Sequence, residues 1–158
     1  VVMDADALNL LTTLKLSAKL PKNLIMTPHP GEASRLLGKS IDEIESDRFK
    51  AVSLLQKKFN CVVVLKGSGS LVCYSKGGKQ QIGICEAGNP GMASGGMGDI
   101  LTGIIAGFLA QGLSLIEAAE LGVDIHAKAA DLKSLDTGEI GLLASDVLEE
   151  VRHLLKYE

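Results

Sequence analysis

Aromatic residues are scarce in this chain: 3% of 158 residues, with no tryptophan. Proteins that grip single-stranded nucleic acid lean on aromatic stacking platforms, and few are on offer here. An excess of positive charge is lacking too, since 16 Lys and Arg face 19 Asp and Glu for a formal charge of −3. That balance argues against a nucleic-acid or anionic-membrane surface, so neither partner is expected. It leaves a nucleotide ligand open, because backbone N–H groups hold a small phosphate without side-chain charge. No apolar run approaches the length of a membrane span, and no basic, apolar, small-residue signal pattern opens the chain. Cysteine is limited to Cys61, Cys73 and Cys85, an odd number never closer than twelve residues. Such spacing speaks against a disulfide framework or a zinc site. Cys61 and Cys73 fall in strand-like runs and read as buried free thiols, which fits a reducing cytoplasm.

What is present is aliphatic: 46% of the residues are hydrophobic, enough for one domain with a sizeable core. The chain opens on VVMDAD, a strand already in progress, and is expected to be a fragment whose upstream part lies outside it. A helix is expected over residues 7–16 and a second strand over 23–27, closed by Pro28 and Pro30. GEASRLLG predicts one or two helical turns ended by Gly38. Ser40 and Ser46 read as N-caps, the second opening a helix to Phe59 with Phe49, Val52, Leu55 and Phe59 on its buried side. CVVVLKG is a continuous aliphatic run of the kind found in a strand buried on both faces. SLVCYSKGGKQQIGIC predicts a hairpin across Gly77-Gly78. Helices are expected over 98–111 and 115–132, and a last one capped by Ser145. There is no internal repeat, low-complexity tract or linker. Strand–helix alternation with an added hairpin predicts an α/β layered fold with a mostly parallel sheet.

The stretch GNPGMASGGMGDILTGIIAGFLAQG, residues 88–112, changes character halfway. Its first part is glycine-rich, with no bulky aliphatic apart from Met92 and Met97. From Ile100 on, Leu101, Ile104, Ile105, Phe108 and Leu109 mark a buried amphipathic helix. A glycine loop entering a helix beyond the carboxyl ends of the strands supplies unhindered N–H groups and the positive end of a helix dipole. Gly95, Gly96, Met97 and Gly98 are thus candidates to cradle a phosphate, although the loop matches neither G-x-x-x-x-G-K-[ST] nor G-x-G-x-x-G. Asp99 fits two readings: a first-turn acid favoured by the dipole, or a general base taking a proton from a hydroxyl that attacks a phosphoryl group. Asp4 and Asp6, at a strand end, cap a helix or orient Mg²⁺ or the loop. Glu32 reads equally as a first-turn acid. His126, next to Ile125 in a long helix, reads as structural, and Lys128, Asp131 and Lys133 as a solvated helix face.

GNPGMASGGMGDILTG closely resembles the loop of the NAD(P)HX dehydratases, carbohydrate-kinase-related members of the ribokinase superfamily. VVMDADALNLL (1–11), LIMTPHPGEASRLLG (24–38), VVVLKGSGSLV (62–72) and GLLASDVLEEV (141–151) agree in order and spacing, so the resemblance spans nearly the whole chain. It implies a ribokinase-like fold, represented here by its carboxy-terminal portion with the amino-terminal part absent. It implies an activity as well: dehydration of hydrated NADH or NADPH (NADHX, NADPHX) with ADP or ATP as co-substrate and Mg²⁺ as cofactor. Asp99 would activate the hydroxyl on the hydrated ring, and phosphoryl transfer would make that oxygen a leaving group. Gly98 would lie at the nucleotide phosphates and Asn89 near the nucleotide. Lys66, Gly67, Ser68, Gly69 and Ser70 match the segment lining the adenine nucleotide, and His29 matches a residue contacting the hydrated cofactor. Met97 departs from the small or hydroxyl residue expected between the last two glycines. The loop wording looks more like the ADP-using bacterial form, and the family implies a homo-oligomer. Two other classes use the same glycine loop: a ribokinase-superfamily kinase for a small alcohol, and a silent nucleotide-binding domain.

Overall fold

The computed structural model describes residues 1–13 and 20–156. A five-stranded sheet lies in chain order: β1 (Val2–Met3), β2 (Ile25–Met26), β3 (Val62–Leu65), β4 (Ser70–Lys76) and β5 (Lys79–Cys85). β1, β2 and β3 pair in parallel, with Val2 opposite Ile25 and Ile25 opposite Val62. β4 runs antiparallel to both its neighbours, so every strand but β4 points the same way. All four residues of β3 are buried, as its unbroken aliphatic run predicts. Lys76 faces Lys79 across a two-residue turn in which Gly77 (φ 60°) and Gly78 (φ 76°) are both left-handed. That conformation suits the twist of a tight hairpin and is cheap only for residues such as glycine.

Side-chain alternation along the central strands divides the interior in two. Leu24, Met26, Val63 and Leu65 face a core shared with Leu8, Leu36, Ile44, Val52 and Leu55. These last come from α1 (Ala5–Thr13), α2 (Pro30–Leu37), α3 (Ile41–Ser46) and α4 (Arg48–Phe59). Ile25, Val62, Val64 and Val72 face the other core, with Leu101, Ile105, Val123 and Val147. Those belong to α5 (Met97–Ala110), α6 (Leu115–Thr137) and α7 (Ala144–Leu154). The result is three layers, helices on both faces of the sheet. This is the expected α/β arrangement, mixed in its pairings because the hairpin joins the parallel strands antiparallel.

Several boundaries differ from expectation for local reasons. α1 starts at Ala5, and residues 14–16 of the predicted helix lie outside the described residues. Ser46 closes α3 instead of capping α4, because the Asp47 carboxylate accepts the Lys50 N–H at 2.9 Å. The buried stripe of α4 is then Ala51, Val52, Leu55 and Gln56, and Phe49 falls outside it at 52% exposure. Ser145 lies inside α7, whose N-cap is Leu143 with its N–H donated to Asp146 at 2.9 Å. α6 runs past Leu132 to Thr137, since nothing breaks it before Gly138.

Candidate active site

β1, β2 and β3 end side by side, so the residues that follow them meet at one edge of the molecule: Asp4 after β1, Thr27-Pro28-His29 after β2 and Lys66 after β3. In a parallel α/β sheet this is the edge at which ligands bind. The first turns of α5 arrive there too. Thr102 Oγ1 donates to Asp4 Oδ2 at 3.1 Å, and Lys66 Nζ donates to Asp4 Oδ1 at 2.7 Å. Glu32 Oε2 lies 4.0 Å from the same ammonium. Gly98 is packed against this group: a Cβ there would stand 3.2 Å from Lys66 Nζ and 3.4 Å from Asp4 Oδ2. Of the two readings of Asp4, its side chain follows the one that orients the glycine loop, since both carboxylate oxygens serve Lys66 and Thr102.

His29 is the N-cap of α2. Its Nδ1 accepts the N–H groups of Gly31 (3.0 Å) and Glu32 (3.4 Å), so the ring proton of the neutral form belongs on Nε2. Glu32 returns the bond, accepting the His29 N–H at 2.8 Å, and completes a capping box. The imidazole is therefore folded over the helix start, with half its side-chain surface open and Nε2 3.5 Å from Glu32 Oε1. Glu32 itself is buried and joins His29 to Lys66, which is more than a first-turn acid does.

The Lys66–Ser70 turn is pinned from behind by Arg48, which stands at the start of α4. Its guanidinium donates to the carbonyl oxygens of Ser68, Leu65 (3.4 Å) and Lys66 (3.4 Å). A Cβ on Gly67 would come within 2.7 Å of Arg48 Nη2, so that glycine makes room for the guanidinium. Ser70 Oγ donates to the Gly67 carbonyl at 3.2 Å, leaving Ser68 exposed at the tip.

The glycine tract is braced by the other helical layer. Asn89 Oδ1 accepts the Gly91 N–H at 3.0 Å, forming the 3₁₀ turn Pro90–Met92, and its Nδ2 donates to Asp131 Oδ1 at 2.9 Å. Asp131 Oδ2 also accepts the Gly88 N–H at 2.8 Å. Asp131 is thus a brace for the loop and not part of a solvated helix face. Ser94 Oγ donates to the Leu142 carbonyl at 3.0 Å, tying the loop to the segment before α7. Met97 is buried, so the unexpected methionine points into the core and adds no side chain to the open face of the loop. Gly95 and Gly96 are exposed, and the N–H groups of Met97, Gly98 and Asp99 open α5 without intrahelical acceptors. Asp99 is exposed beside them, and among the described residues no hydrogen bond or ion pair holds its carboxylate.

His126 is buried and structural, as expected: its Nε2 has no hydrogen-bond partner, and burial, then the Lys66 charge, pushes its pKa down to about 4. Burial also raises the thiols of Cys61, to about 12, and Cys73, to about 11, and all three cysteines are free. Among the described residues no helix is long and apolar enough to cross a membrane, and no three His, Cys, Asp or Glu side chains are grouped to hold a metal ion. Arg48 and Thr102 were not anticipated from the sequence. Arg48 left one signal: an arginine at a helix start opposes the dipole and needs another reason to be there.

Comparison with known proteins bears on the family and the fold. A carbohydrate-kinase family model, described as NAD(P)H-hydrate dehydratase, matches residues 1–153. A bifunctional NAD(P)H-hydrate repair enzyme of Coxiella burnetii is 53% identical over 98% of this chain and 30% of its own length. The ADP-dependent (S)-NAD(P)H-hydrate dehydratase of Neisseria meningitidis is 44% identical over 98% of this chain and 52% of its own. The ADP/ATP-dependent NAD(P)H-hydrate dehydratase of Bacillus subtilis, co-crystallized with ATP and Mg²⁺, superposes with a TM-score of 0.85 at 28% identity, over 99% of this chain and 54% of that one. The chain therefore spans about half the length of these relatives or less. With a family match over nearly its whole length and the ribokinase-like fold of its structural neighbours, this chain belongs to the carbohydrate-kinase-related NAD(P)H-hydrate dehydratase family.

Proposed function

We propose that the protein dehydrates hydrated NADH and NADPH at the expense of ADP or ATP, restoring the reduced cofactors. The observation that carries this reading is the exposed Asp99 carboxylate in the first turn of α5. It sits directly after the open glycines of residues 95–98, at the edge where β1, β2 and β3 all end. In this reading the backbone N–H groups of Gly95, Gly96, Met97 and Gly98 hold the phosphates, aided by the helix dipole. The turn of Lys66, Gly67, Ser68, Gly69 and Ser70, together with Asn89, lines the adenine nucleotide, and the half-open imidazole of His29 contacts the hydrated cofactor. Asp99 contacts that cofactor too and takes the proton of its ring hydroxyl. The ring oxygen then bonds to the terminal phosphorus, and the bond to the nucleotide breaks. AMP leaves when ADP is the donor, and ADP when ATP is. The lone pair of the ring nitrogen expels phosphate as the C–O bond breaks, and loss of a proton from the adjacent carbon leaves the ring double bond. The sum is hydrated NADH plus ADP giving NADH, AMP and phosphate.

Mg²⁺ fits the described residues only as a companion of the nucleotide. They gather no group of three potential ligands, and Asp4 is engaged with Lys66 and Thr102. A cytoplasmic setting belongs to the same proposal, supported by three free cysteines, and so does a homo-oligomer, which rests on the family alone. The test is direct. The complete protein is incubated with hydrated NADH and ADP, and the return of reduced-nicotinamide absorbance is followed alongside AMP. Both are expected to rise together. No return of absorbance, or nucleotide consumed only with an unrelated alcohol, would overturn the proposal in favour of a silent binder or a small-alcohol kinase.

A further inference from the structure

The reaction just described leaves Asp4, Lys66 and Thr102 without a step of their own, yet they meet directly beneath Gly98. Lys66 does not stand as a free charge facing the cradle. It is 19% exposed, donates to Asp4 at 2.7 Å, and has Glu32 at 4.0 Å as a second acid. Its Nζ lies 3.2 Å from where a Cβ of Gly98 would be, so the ammonium fills the space of that missing side chain. The second oxygen of Asp4 takes the Thr102 hydroxyl at 3.1 Å. Gly98 and Thr102 are four residues apart and so share one face of α5, whereas Asp99 is turned about 100° from Gly98. One carboxylate thus grips a single face of the helix start at two successive turns, and the neighbouring face carries Asp99 into solvent.

We propose that Asp4 is a positioning residue for this site. Acting through Lys66 and Thr102, it fixes the rotation and depth of the first turn of α5, and with them the directions of the Gly98 N–H and the Asp99 carboxylate. The contact network stands on the structure alone; the reaction it serves rests on the dehydratase reading. Bringing a base to within reach of a hydroxyl depends on placement to a fraction of an ångström, and about 1 Å of error costs roughly 100-fold in rate.

The test uses the complete protein with Thr102→Val, which keeps the side-chain shape and removes the donor, Thr102→Ser, which restores the donor, and Asp4→Asn. Thr102→Val and Asp4→Asn are expected to lose roughly 10- to 100-fold in kcat, with KM for ADP and hydrated cofactor within about threefold of wild type. Thr102→Ser is expected to recover most of the loss. Amide exchange at Ile100 and Thr102, read by mass spectrometry or NMR, is expected to quicken in the Val variant and return in the Ser variant. A Val variant with wild-type kcat, a loss that serine does not recover, or a change confined to KM overturns the proposal. If the wild type shows no dehydration at all, the functional reading falls separately. Exchange alone then decides the positioning role, and unchanged exchange in Thr102→Val overturns it.

Discussion

Replacing Asp99 by Asn separates two things a carboxylate does in a first helical turn. A helix-start acid contributes through the dipole, worth about 0.3–1 kcal/mol, and Asn is also tolerated there. A general base contributes roughly 10²–10⁴-fold to rate. Asp99 is exposed, and no partner among the described residues fixes its carboxylate, so its loss should leave packing and ADP binding near wild type. With the phosphates held as proposed, removing a negative charge beside them tightens binding slightly. We therefore expect Asp99→Asn to bind ADP at least as well as wild type by calorimetry, with turnover down by roughly 10²–10⁴-fold. A near-wild-type rate in a variant that binds ADP normally would reduce Asp99 to a helix-start residue. Residue type and local context are what single out such candidates in a sequence: an acid after glycines, a histidine between prolines. Met97 shows the limit. As a letter it departs from the loop pattern, and only its burial in the core shows that its side chain leaves the open face of the loop to backbone.

At the scale of elements, local rules placed most helices and strands, and failed where two local signals competed. Ser46 and Ser145 are sound cap candidates, but Asp47 and Asp146 stand beside them and take the backbone N–H groups instead. The hairpin was legible because Gly77-Gly78 is both a turn signal and a register signal. The Lys66–Ser70 turn was legible as a glycine-rich strand end, but its support was not, since Arg48 belongs to a helix 20 residues upstream of Ser68. That support yields a prediction. Arg48→Met keeps the aliphatic stem and removes every donor to Leu65, Lys66 and Ser68, so the turn loses its fixed shape while α4 keeps its packing. ADP affinity is expected to fall about tenfold, which corresponds to about 1.4 kcal/mol, while KM for the hydrated cofactor barely moves. Equal losses for both ligands would mean that Arg48 supports the whole edge and not the nucleotide side alone.

Across the whole molecule, the layered α/β plan was legible from periodicity, whereas the cluster that unites the site was not. Asp4 meets Lys66 across 62 residues and Thr102 across 98, and one sequence carries no trace of such pairings. His126 is another product of the assembled fold: α6 is apolar enough to be buried, and burial leaves the ring neutral, with Nε2 unpartnered and the Lys66 charge opposing protonation. Its folded pKa of about 4 lies below the ordinary value of 6.5, so the unfolded chain binds the extra proton first as pH falls. Stability from this group is therefore complete above pH 6.5 and is lost progressively as pH drops from there towards 4. The loss is on the order of 2–3 kcal/mol at the lower end. Glu43 also has a lowered pKa, about 2 against 4.5, chiefly through its bond to the Ser40 N–H and its pairing with Lys39, but its contribution disappears only below pH 4.5. The two windows do not overlap above that value. Urea unfolding at pH 7, 6, 5 and 4.5 is expected to show a steady fall in wild type and a much flatter profile in His126→Met, which fills similar space and does not titrate. If the two profiles fall in parallel over that range, the acid sensitivity arises elsewhere and His126 is not the group responsible.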